Sequence, residues 1–388
     1  MKNALLIFGG KSFEHDISII TALIIYRNAK NCGYNLLPVY INKNQEWFYY
    51  AKENMSINLF KNFEKNYKKN GFKKAYLKTN KNFIFYSNGI IEKKIKVDCA
   101  LNCCHGGMGE DGTLVSILEN SKIPVSSGDS LAMGVCMDKV LSKKFFNSLK
   151  IPTINYFKFT KDDYLNNKEK ILKNIDKLSL PIILKPSRLG SSIGIEVVKT
   201  IEEFDLAAKT ALEFDDVILV ERAILTNLRE YNVAVMRVNN EIIVSELDKP
   251  IRKDEILSFK DKYIGNGKTS SKNNINTKSG VKGEYLTFKK LSDVDLKTES
   301  INKIKFYSRK VYEELNLNGV VRIDYIVDDK NKIYLNEINT IPGSLAYYFF
   351  IPNVFKSFDE YLNVILNSAI YRYENKVICK NEYITNLI

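Results

Sequence analysis

The pattern of apolar and polar positions predicts strands that alternate with helices near the start of the chain. An apolar run at residues 4–8 is followed by Gly9-Gly10 and then by a stretch with helical periodicity. The predicted elements are strands over residues 4–8, 36–41 and 97–102 and helices over 18–29 and 113–120. Alternation of this kind is typical of an α/β domain with a parallel sheet.

The segment between the second and third of these strands has a different composition. Residues 42–95 are polar and rich in Lys, Asn and aromatic side chains. Short strands bounded by such residues are typical of hairpins and loops, which we expect to lie peripheral to the sheet.

Two later regions follow residue 128. Within the first of them, Pro152 and a Gly/Ser loop interrupt the apolar runs. Thr200 with Glu203, and Ser357 with Glu360, have the spacing of capping boxes and predict helix starts. The other predicted elements are strands at 181–186, 194–199, 217–221, 231–237 and 241–246, a helix near 300–315 and a hairpin at 319–338. The polar loop 249–282 is long enough to indicate a mobile lid or a disordered segment.

Length and composition indicate an ordinary soluble protein. A chain of 388 residues that is 45% hydrophobic and 27% charged has room for two or three domains. No apolar run approaches the roughly 18 residues needed to cross a bilayer. The first apolar run breaks at Gly9-Gly10, too early for a signal peptide. We therefore expect a cytoplasmic protein with no membrane partner.

The net charge of +13 raises the alternative of a nucleic-acid-binding protein. The lysines are spread along the chain, and arginine, the residue favoured for bidentate contacts to bases and phosphates, is scarce. A lysine-rich solvated surface is the simpler interpretation. We expect no nucleic-acid partner.

The cysteines indicate neither a disulfide framework nor a zinc site. No Cys-x-x-Cys pair occurs, and most of the cysteines lie in apolar or motif-flanking contexts where cysteine acts as a small buried hydrophobe. The six positions are Cys32, Cys99, Cys103, Cys104, Cys136 and Cys379.

The strongest chemical signal is a strand that ends in Lys185 and continues into a Gly/Ser turn up to Gly194. Glycine lets the backbone approach phosphate oxygens, serine hydroxyls add donors, and the lysine adds a point charge. The spacing is not that of a Walker loop. A Gly/Ser turn alone is also common as a plain surface loop, but the strand lysine favours phosphate binding.

A second signal is a hairpin that carries Arg322 and Asp324 on one strand and Glu337 and Asn339 on the other. Side chains alternate along strands, so each pair shares a face. With the turn at residues 328–331, Glu337 becomes a diagonal neighbour of Asp324. Carboxylate and amide oxygens suit Mg²⁺, whereas a solvated polar face is the alternative interpretation. Charges interrupting an apolar hairpin favour the metal site.

The two histidines of the chain are a third signal. His15 and His105 both lie in glycine-rich, acid-containing segments after predicted strands. Ligands of open α/β sheets collect beyond the carboxyl ends of the strands. A lone histidine is more often structural, but this shared placement favours a functional role for both.

In order along the chain, these segments resemble the D-alanine:D-alanine ligase family of the ATP-grasp superfamily. The resemblance covers residues 4–352 and is weakest at 42–95 and 249–297. Six ordered motifs carry it: Gly-Gly-x-Ser-x-Glu-His-x-x-Ser at 9–18, His-Gly-x-x-Gly-Glu-Asp-Gly at 105–112, Met-Asp-Lys at 137–139, Lys-Pro-x-x-x-Gly-Ser-Ser-x-Gly at 185–194, Arg-x-Asp at 322–324 and Asn-Glu-x-Asn-Thr-x-Pro-Gly at 336–343.

The resemblance implies an α/β fold of three ATP-grasp domains, at residues 1–127, 128–222 and 223–388, the first being a Rossmann-like parallel-sheet domain. It implies ATP between the second and third domains, with Mg²⁺ or Mn²⁺, two ions in all, and a homodimer. The ATP-binding residues implied are Lys139, Lys185, Ser191, Ser192, Glu221, Ile224, Glu230 and Lys262. The metal ligands implied are Asp324, Glu337 and Asn339.

The same resemblance implies roles in chemistry and substrate binding. Glu14, Ser191, Tyr263 and Arg322 match catalytic residues of the family; Arg322 would steady the transferring phosphoryl group. Glu14 would bind the ammonium of the first substrate, with His105 beside it. Gly343, Ser344 and Tyr348 would contact the second substrate. The implied reaction joins two D-alanine molecules through an acyl phosphate, a step in the synthesis of a peptidoglycan precursor.

One departure bears on the second substrate. Where the family has a run rich in Ser and Thr after Pro342-Gly343, this chain has aromatic residues, and Tyr348 stands at the position of a substrate-binding Ser. Ser344 or Tyr348 would replace that contact, or the acceptor would be D-serine, D-lactate or another small amino acid. The remaining alternative is a catalytically idle nucleotide-binding relative, which retention of Lys139, Lys185 and the hairpin residues argues against.

Overall fold

The structure is a computed structural model that describes residues 1–224, 227–238, 241–250, 281–282, 285–286, 291 and 294–376. Most of the predicted loop 249–282, including Lys262 and Tyr263, lies outside the described residues. Three larger sheets, each with its own helices, make up the described part of the chain.

The first sheet has seven strands in the order β6-β5-β4-β3-β2-β1-β7. Its strands are β1 (Lys2–Gly9), β2 (Tyr34–Ile41), β3 (Trp47–Tyr50), β4 (Phe72–Lys78), β5 (Lys81–Asn88), β6 (Ile91–Lys96) and β7 (Cys99–Asn102). Its helices are α1 (His15–Asn28), α2 (Phe63–Asn70) and α3 (Thr113–Asn120), with 3₁₀ turns at Ile57–Phe60 and Gly107–Gly109. The helix predicted at 113–120 is confirmed, and α1 begins three residues before its predicted start.

The first sheet is mixed rather than purely parallel. Strands β2, β1 and β7 pair in parallel, and β1 is buried on both faces, as its continuous apolar run requires. Strands β3 to β6 continue the sheet by antiparallel pairing. The prediction that 42–95 lies peripheral to the sheet is therefore wrong. Its alternating aromatic residues, such as Phe48 and Phe72, bury one face of the added strands.

The second sheet has four antiparallel strands in the order β10-β9-β11-β8. Its strands are β8 (Tyr156–Thr160), β9 (Ile182–Pro186), β10 (Glu196–Val198) and β11 (Val217–Arg222); the helices are α6 (Lys161–Asn166), α7 (Lys168–Leu178) and α8 (Phe204–Leu212). The capping box at Thr200 and Glu203 is confirmed, although the turn Ile201–Glu203 is a 3₁₀ turn that leads into α8.

The third sheet has the order β13-β12-β16-β17, all antiparallel. Its strands are β12 (Arg229–Val238), β13 (Glu241–Asp248), β16 (Val320–Val327) and β17 (Ile333–Asn339); a separate pair is β14 (Val281–Lys282) with β15 (Tyr285–Leu286). The other helices are α4 (Ser130–Met137), α5 (Lys139–Ser148), α9 (Thr298–Glu314) and α10 (Phe358–Glu374), with a 3₁₀ segment at Gly343–Phe349. The predicted start of α10 at Ser357 is confirmed, since its hydroxyl accepts a hydrogen bond from the Glu360 N–H at 3.1 Å.

Apolar packing joins the first and third sheets, whereas the second sheet has a core of its own. Residues of α4 and α5 belong to the core under the third sheet, and α10 packs into the core of the first. The 3₁₀ segment Gly343–Phe349 adds its aromatic side chains to that first core. The five cysteines among the described residues are buried, as expected of small hydrophobic side chains. No described helix is both long and apolar enough to span a membrane.

Candidate active site

The hairpin of β16 and β17 places its polar residues directly across from one another. Asp324 pairs with Glu337, and Arg322 pairs with Asn339. A β-bulge follows Asp324 and shifts the register of the rest of the hairpin. The predicted diagonal relation of Asp324 to Glu337 is therefore wrong: the two carboxylate residues are direct neighbours, closer than the sequence spacing indicates.

Asp324 is buried, and its carboxylate accepts hydrogen bonds from two residues. The Nε and Nη2 atoms of Arg322 each donate to its carboxylate at 2.8 Å, and Asn339 Nδ2 donates at 3.1 Å. The bidentate arginine fixes the orientation of the carboxylate. Two carboxylates and an amide oxygen on one face form a hard-oxygen donor set, which fits Mg²⁺. The described residues contain no metal-binding cluster built from His, Cys, Asp and Glu alone, so the amide oxygen of Asn339 is needed to complete such a set.

Two lysines from outside the hairpin line the same cleft as these carboxylates. Lys139 is the first residue of α5, and its Nζ lies 3.8 Å from Glu337 Oε2 and donates to the Leu189 carbonyl at 2.5 Å. Lys185 lies on β9 and contacts Glu221 Oε2 at 2.5 Å. Cations of the second region and anions of the third thus line the same cleft.

The Gly/Ser turn meets the loop after β1. Ser191 and Ser192 adopt left-handed backbone angles, with φ of 52° and 58°. The Ser191 hydroxyl donates to the Glu14 carboxylate. A Cβ at Gly190 would lie 3.0 Å from Glu14 Oε2, so a larger residue there would require the Glu14 carboxylate to shift. The hydrogen bond between Ser191 and Glu14 joins the first region to the Gly/Ser turn, the candidate phosphate-binding segment of the second region.

His105 is part of a buried hydrogen-bonded group. Its Nε2 lies 2.9 Å from the Thr21 hydroxyl, which also accepts the backbone N–H of Ser344 at 3.4 Å. Its Nδ1 lies 3.9 Å from Glu110 Oε1. Burial lowers the pKa of His105 to about 4, so the imidazole is neutral at neutral pH.

Glu110 is a site residue that sequence reasoning missed. It lines the cleft, and burial together with the nearby Glu14 carboxylate raises its pKa to about 8. The residue lies within the motif at 105–112, but the motif alone assigned it no role. The available signal was a second acid in a glycine-rich loop expected at the same sheet edge as Glu14.

His15 serves the structure of the loop rather than the cleft. Its Nδ1 lies 2.6 Å from the Gly10 carbonyl and its Nε2 lies 3.0 Å from the Tyr40 hydroxyl. The neighbouring Gly9 has φ of 93°, and a Cβ there would meet the Ile41 carbonyl at 2.2 Å. Of the two histidines, His105 is among the described residues that line the cleft and His15 is not. A functional role for His105 stays a prediction.

One cleft of about 260 Å³ collects most of the predicted residues. It contains Glu14, His105, Lys139, Lys185, Ser191, Ser192, Ile224, Glu230, Arg322, Asp324, Glu337, Asn339, Gly343 and Ser344. Sequence reasoning missed the apolar wall of Met137, Ile183, Ile195 and Ile326, because such residues in strands and helices cannot be told from core.

Glu221 and Tyr348 lie outside the described lining of this cleft. Glu221 is buried behind Lys185, which it contacts. Tyr348 is 4% exposed and packs against the rings of Tyr347 and Phe349. Burial raises the pKa of Tyr348, so it remains a neutral phenol. The backbone before it turns through left-handed angles at residues 344–346, a conformation costly for residues other than glycine.

Comparison with known proteins places the chain in a family. Residues 3–127 match the family described as D-ala D-ala ligase N-terminus. Residues 145–290 and 280–358 match D-ala D-ala ligase C-terminus. The chain belongs to the D-alanine–D-alanine ligase family. Proteins of this family are ATP-dependent ligases that use a divalent metal.

Similarity to other members of the D-alanine–D-alanine ligase family extends over nearly the whole chain. The D-alanine–D-alanine ligase of Thermosipho melanesiensis is 36% identical over 380 residues, 97% of this chain and 96% of that protein. The D-alanine–D-alanine ligase of Campylobacter jejuni is 33% identical over 370 residues, 94% of this chain and 92% of that protein.

Solved structures of the D-alanine–D-alanine ligase family share the fold. The crystal structure of the Helicobacter pylori D-alanine–D-alanine ligase has a TM-score of 0.73 and 26% identity, covering 95% of this chain and 98% of that chain. The VanG D-Ala:D-Ser ligase of Enterococcus faecalis has a TM-score of 0.70 and 25% identity, covering 96% and 99%. The predicted α/β ATP-grasp fold is confirmed.

Proposed function

We propose that this protein joins two D-alanine molecules in an ATP-dependent reaction that passes through an acyl phosphate and releases ADP and phosphate. The observation that carries the proposal is the convergence of Lys139 and Lys185 on the hairpin residues Arg322, Asp324 and Glu337 in one cleft. Family membership supports the same chemistry. A cleft lined by both signs of charge suits a triphosphate held together with a divalent ion.

ATP is proposed to lie between the second and third sheets. Lys139, Lys185, Ser191 and Ser192 would hold its phosphates, because they supply cations and hydroxyl donors to the lining of the cleft. The apolar wall near Ile224 would take the adenine. The remaining residues proposed for the nucleotide are Glu230 and Lys262. Glu221 would act from behind Lys185, which it contacts.

Asp324, Glu337 and Asn339 are proposed to hold two Mg²⁺ or Mn²⁺ ions with the phosphates. Such ions neutralise charge on the phosphate oxygens when bound. Arg322, held by Asp324, would present its remaining N–H groups to the transferring phosphoryl group. A carboxylate is a poor electrophile, so its conversion to an acyl phosphate precedes attack by the amine of the second substrate.

The first D-alanine is proposed to bind at the loop after β1. The Glu14 carboxylate would pair with the ammonium of this substrate. His105 would lie beside Glu14 and, because its imidazole is neutral, would not repel the ammonium. Ser191, hydrogen-bonded to Glu14, would orient that carboxylate. Tyr263 is proposed as a further catalytic residue. We also propose domain boundaries at residues 127 and 222, so that the loop after β1, and with it first-substrate binding, belongs to the first domain.

A second candidate function differs only in the acceptor. The wall at Gly343 and Ser344 borders the cleft, and Tyr348 is buried where the family has a substrate-binding Ser. A D-Ala:D-Ser ligase is among the similar structures. An acceptor with a side-chain hydroxyl, D-serine, or a hydroxy acid, D-lactate, is therefore the alternative to D-alanine. Ser344 would contact the carboxylate of either.

Product identification tests both proposals. The protein is incubated with ATP, Mg²⁺ and a mixture of D- and L-amino acids and D-lactate, and products are identified by mass spectrometry while phosphate release is followed. D-alanyl-D-alanine as the main product is the expected result. If D-alanyl-D-serine or the D-lactate ester were the main product, the acceptor would be D-serine or D-lactate instead of D-alanine. Turnover only with L-amino acids would refute the D-specific function.

A further inference from the structure

A buried lysine behind the cleft forms a charged group with two residues assigned to ATP. Lys143 lies on α5 one turn after Lys139, and its side chain is 2% exposed. Its Nζ contacts Glu221 Oε1, while Lys185 Nζ contacts Glu221 Oε2 at 2.5 Å. The Lys143 ammonium also lies 5.4 Å from the centre of the Tyr156 ring. Both oxygens of the buried carboxylate therefore face a lysine.

Backbone pairing determines this arrangement. On the antiparallel strands β9 and β11, Lys185 pairs with Leu219 and Glu221 pairs with Ile183. Lys185 and Glu221 are thus diagonal neighbours on one face of the sheet. Helix α5 approaches this face at Lys143, which contacts Glu221, and its residues 139 and 143 lie on one side of the helix because they are four apart. Lys139 reaches the cleft, whereas Lys143 reaches only the far side of Glu221.

The charge balance gives Lys143 a role. Without it, Glu221 and Lys185 would form a neutral pair, and the Lys185 ammonium would be drawn fully to the carboxylate. Burial lowers the pKa of Lys143, and the adjacent Glu221 carboxylate opposes this effect by favouring the charged ammonium. With Lys143 protonated, two cations share one anion, so one positive charge remains. Lys185 is the member that lines the cleft, with a side chain that is 12% exposed. Although burial opposes ionisation, Lys143 and Lys185 lower the pKa of Glu221 to about 2, which keeps it anionic.

We propose that Lys143 is a positioning residue for ATP: it shares the Glu221 carboxylate with Lys185 and so leaves the Lys185 ammonium available to the nucleotide phosphates. The inference rests on the proposed function, since it assumes that ATP binds in this cleft. Lys143 acts through Glu221 and does not touch substrate. The alternative is that the aliphatic part of the Lys143 side chain only fills space beneath α5 and that its charge has no role in ATP binding.

A double-mutant cycle tests the inference. ATP binding in the presence of Mg²⁺ is measured by isothermal titration calorimetry for the wild type, K143M, E221Q and K143M/E221Q. Methionine keeps the length of the stem without the charge. We expect K143M to weaken ATP binding about tenfold and to leave the KM for D-alanine nearly unchanged. In the E221Q background the same substitution should change ATP affinity by less than about twofold, because the carboxylate charge that Lys143 balances is gone.

The chain offers a matched control in Lys144, the next residue of α5, which is exposed. K144M should bind ATP as the wild type does. If K143M alone does not fold but K143M/E221Q does, this rescue supports the charge balance between Lys143 and Glu221, whereas a lower ATP affinity of K143M/E221Q than of E221Q overturns the inference. Unchanged binding in a folded K143M also overturns it. A wild type that binds no ATP would contradict the proposed function itself, a result distinct from either of these.

Discussion

Asp324 is the residue on which the proposed metal and phosphate chemistry depends most. Its carboxylate is buried, accepts two hydrogen bonds from Arg322 and faces Glu337 across the hairpin. D324N keeps the shape but removes the charge that balances Arg322 and binds a cation. We expect kcat to fall by about 100-fold or more, measured as phosphate release at saturating substrates.

The exposed Asp329, in the turn of the same hairpin, supplies the control. D329N should retain wild-type kcat, since this side chain lies away from the cleft. Circular dichroism would establish that both variants fold. A folded D324N with wild-type turnover would leave the hairpin without its proposed role.

Glu110 predicts a pH dependence of stability in the ligand-free protein. Burial and the Glu14 carboxylate raise its pKa from 4.5 to about 8. Between these pH values the folded protein holds a proton on Glu110 that the unfolded chain releases. The contribution of protonated Glu110 to the free energy of unfolding is therefore full below about pH 4.5 and is lost as the pH rises through about 8. E110Q mimics the protonated form. It should match the wild type near pH 5 and be more stable near pH 9.

Urea unfolding at pH 5, 7 and 9 would measure this difference for the wild type, E110Q and the exposed-site variant E313Q. The free energy of unfolding of E110Q should exceed that of the wild type increasingly toward pH 9, whereas E313Q should follow the wild type throughout. A constant difference at all three pH values would mean that Glu110 ionises normally in the folded state.

At the scale of elements, the cap of α5 connects helix stability to the nucleotide site. Asp138 accepts hydrogen bonds from the N–H groups of Val140 and Leu141 and from the Ser187 hydroxyl at 2.7 Å. Ser187 is buried and follows β9 by one residue. The cap therefore fixes the start of α5, and with it Lys139, against the strand that carries Lys185.

D138A should destabilise the protein by about 1 kcal/mol, the usual cost of losing a helix cap, and also raise the KM for ATP. Asp129 caps α4 by accepting the Ala132 N–H at 2.9 Å and offers a matched control. D129A should cost similar stability without affecting ATP. Equal KM values for the two variants in an ATP titration would show that the α5 cap has no part in placing Lys139.

The elements differ in how far local sequence could predict them. Strand β1 and helix α3 follow from continuous apolar runs and helical periodicity, which are local signals. The antiparallel strands β3 to β6 could not be placed, because joining the sheet depends on pairing with β2 and not on their own pattern. The β-bulge after Asp324 is likewise set by the register of the whole hairpin.

The residues of the site also differ in whether a local sequence signal could predict them. Lys185, Asp324 and Glu337 could be found because each interrupts an apolar strand with a charge, which is unusual unless the charge is used or paired. Lys143 gave no such signal, since a lysine on an amphipathic helix is usually solvated. Its burial against Glu221 arises only when α5 packs on the second sheet.

At the scale of the molecule, the cleft is built from all three regions, with Glu14 from the first, Lys185 from the second and Asp324 from the third. A ligand that contacts all of them stabilises the folded state as a whole by mass action. ATP with Mg²⁺ at about 100 times its dissociation constant should contribute about 2.7 kcal/mol and raise the melting temperature by several degrees in one cooperative transition.

Differential scanning calorimetry with three matched additions would examine this linkage. ATP with excess EDTA should stabilise less than ATP with Mg²⁺, because the hairpin carboxylates would then repel the phosphates instead of sharing a cation with them. AMP, which lacks the phosphates that Lys139 and Lys185 are proposed to hold, should stabilise least. If Mg²⁺ added nothing to the effect of ATP, or if ATP shifted only one of two separate transitions, the nucleotide would not be bridging the second and third sheets through the Asp324 hairpin.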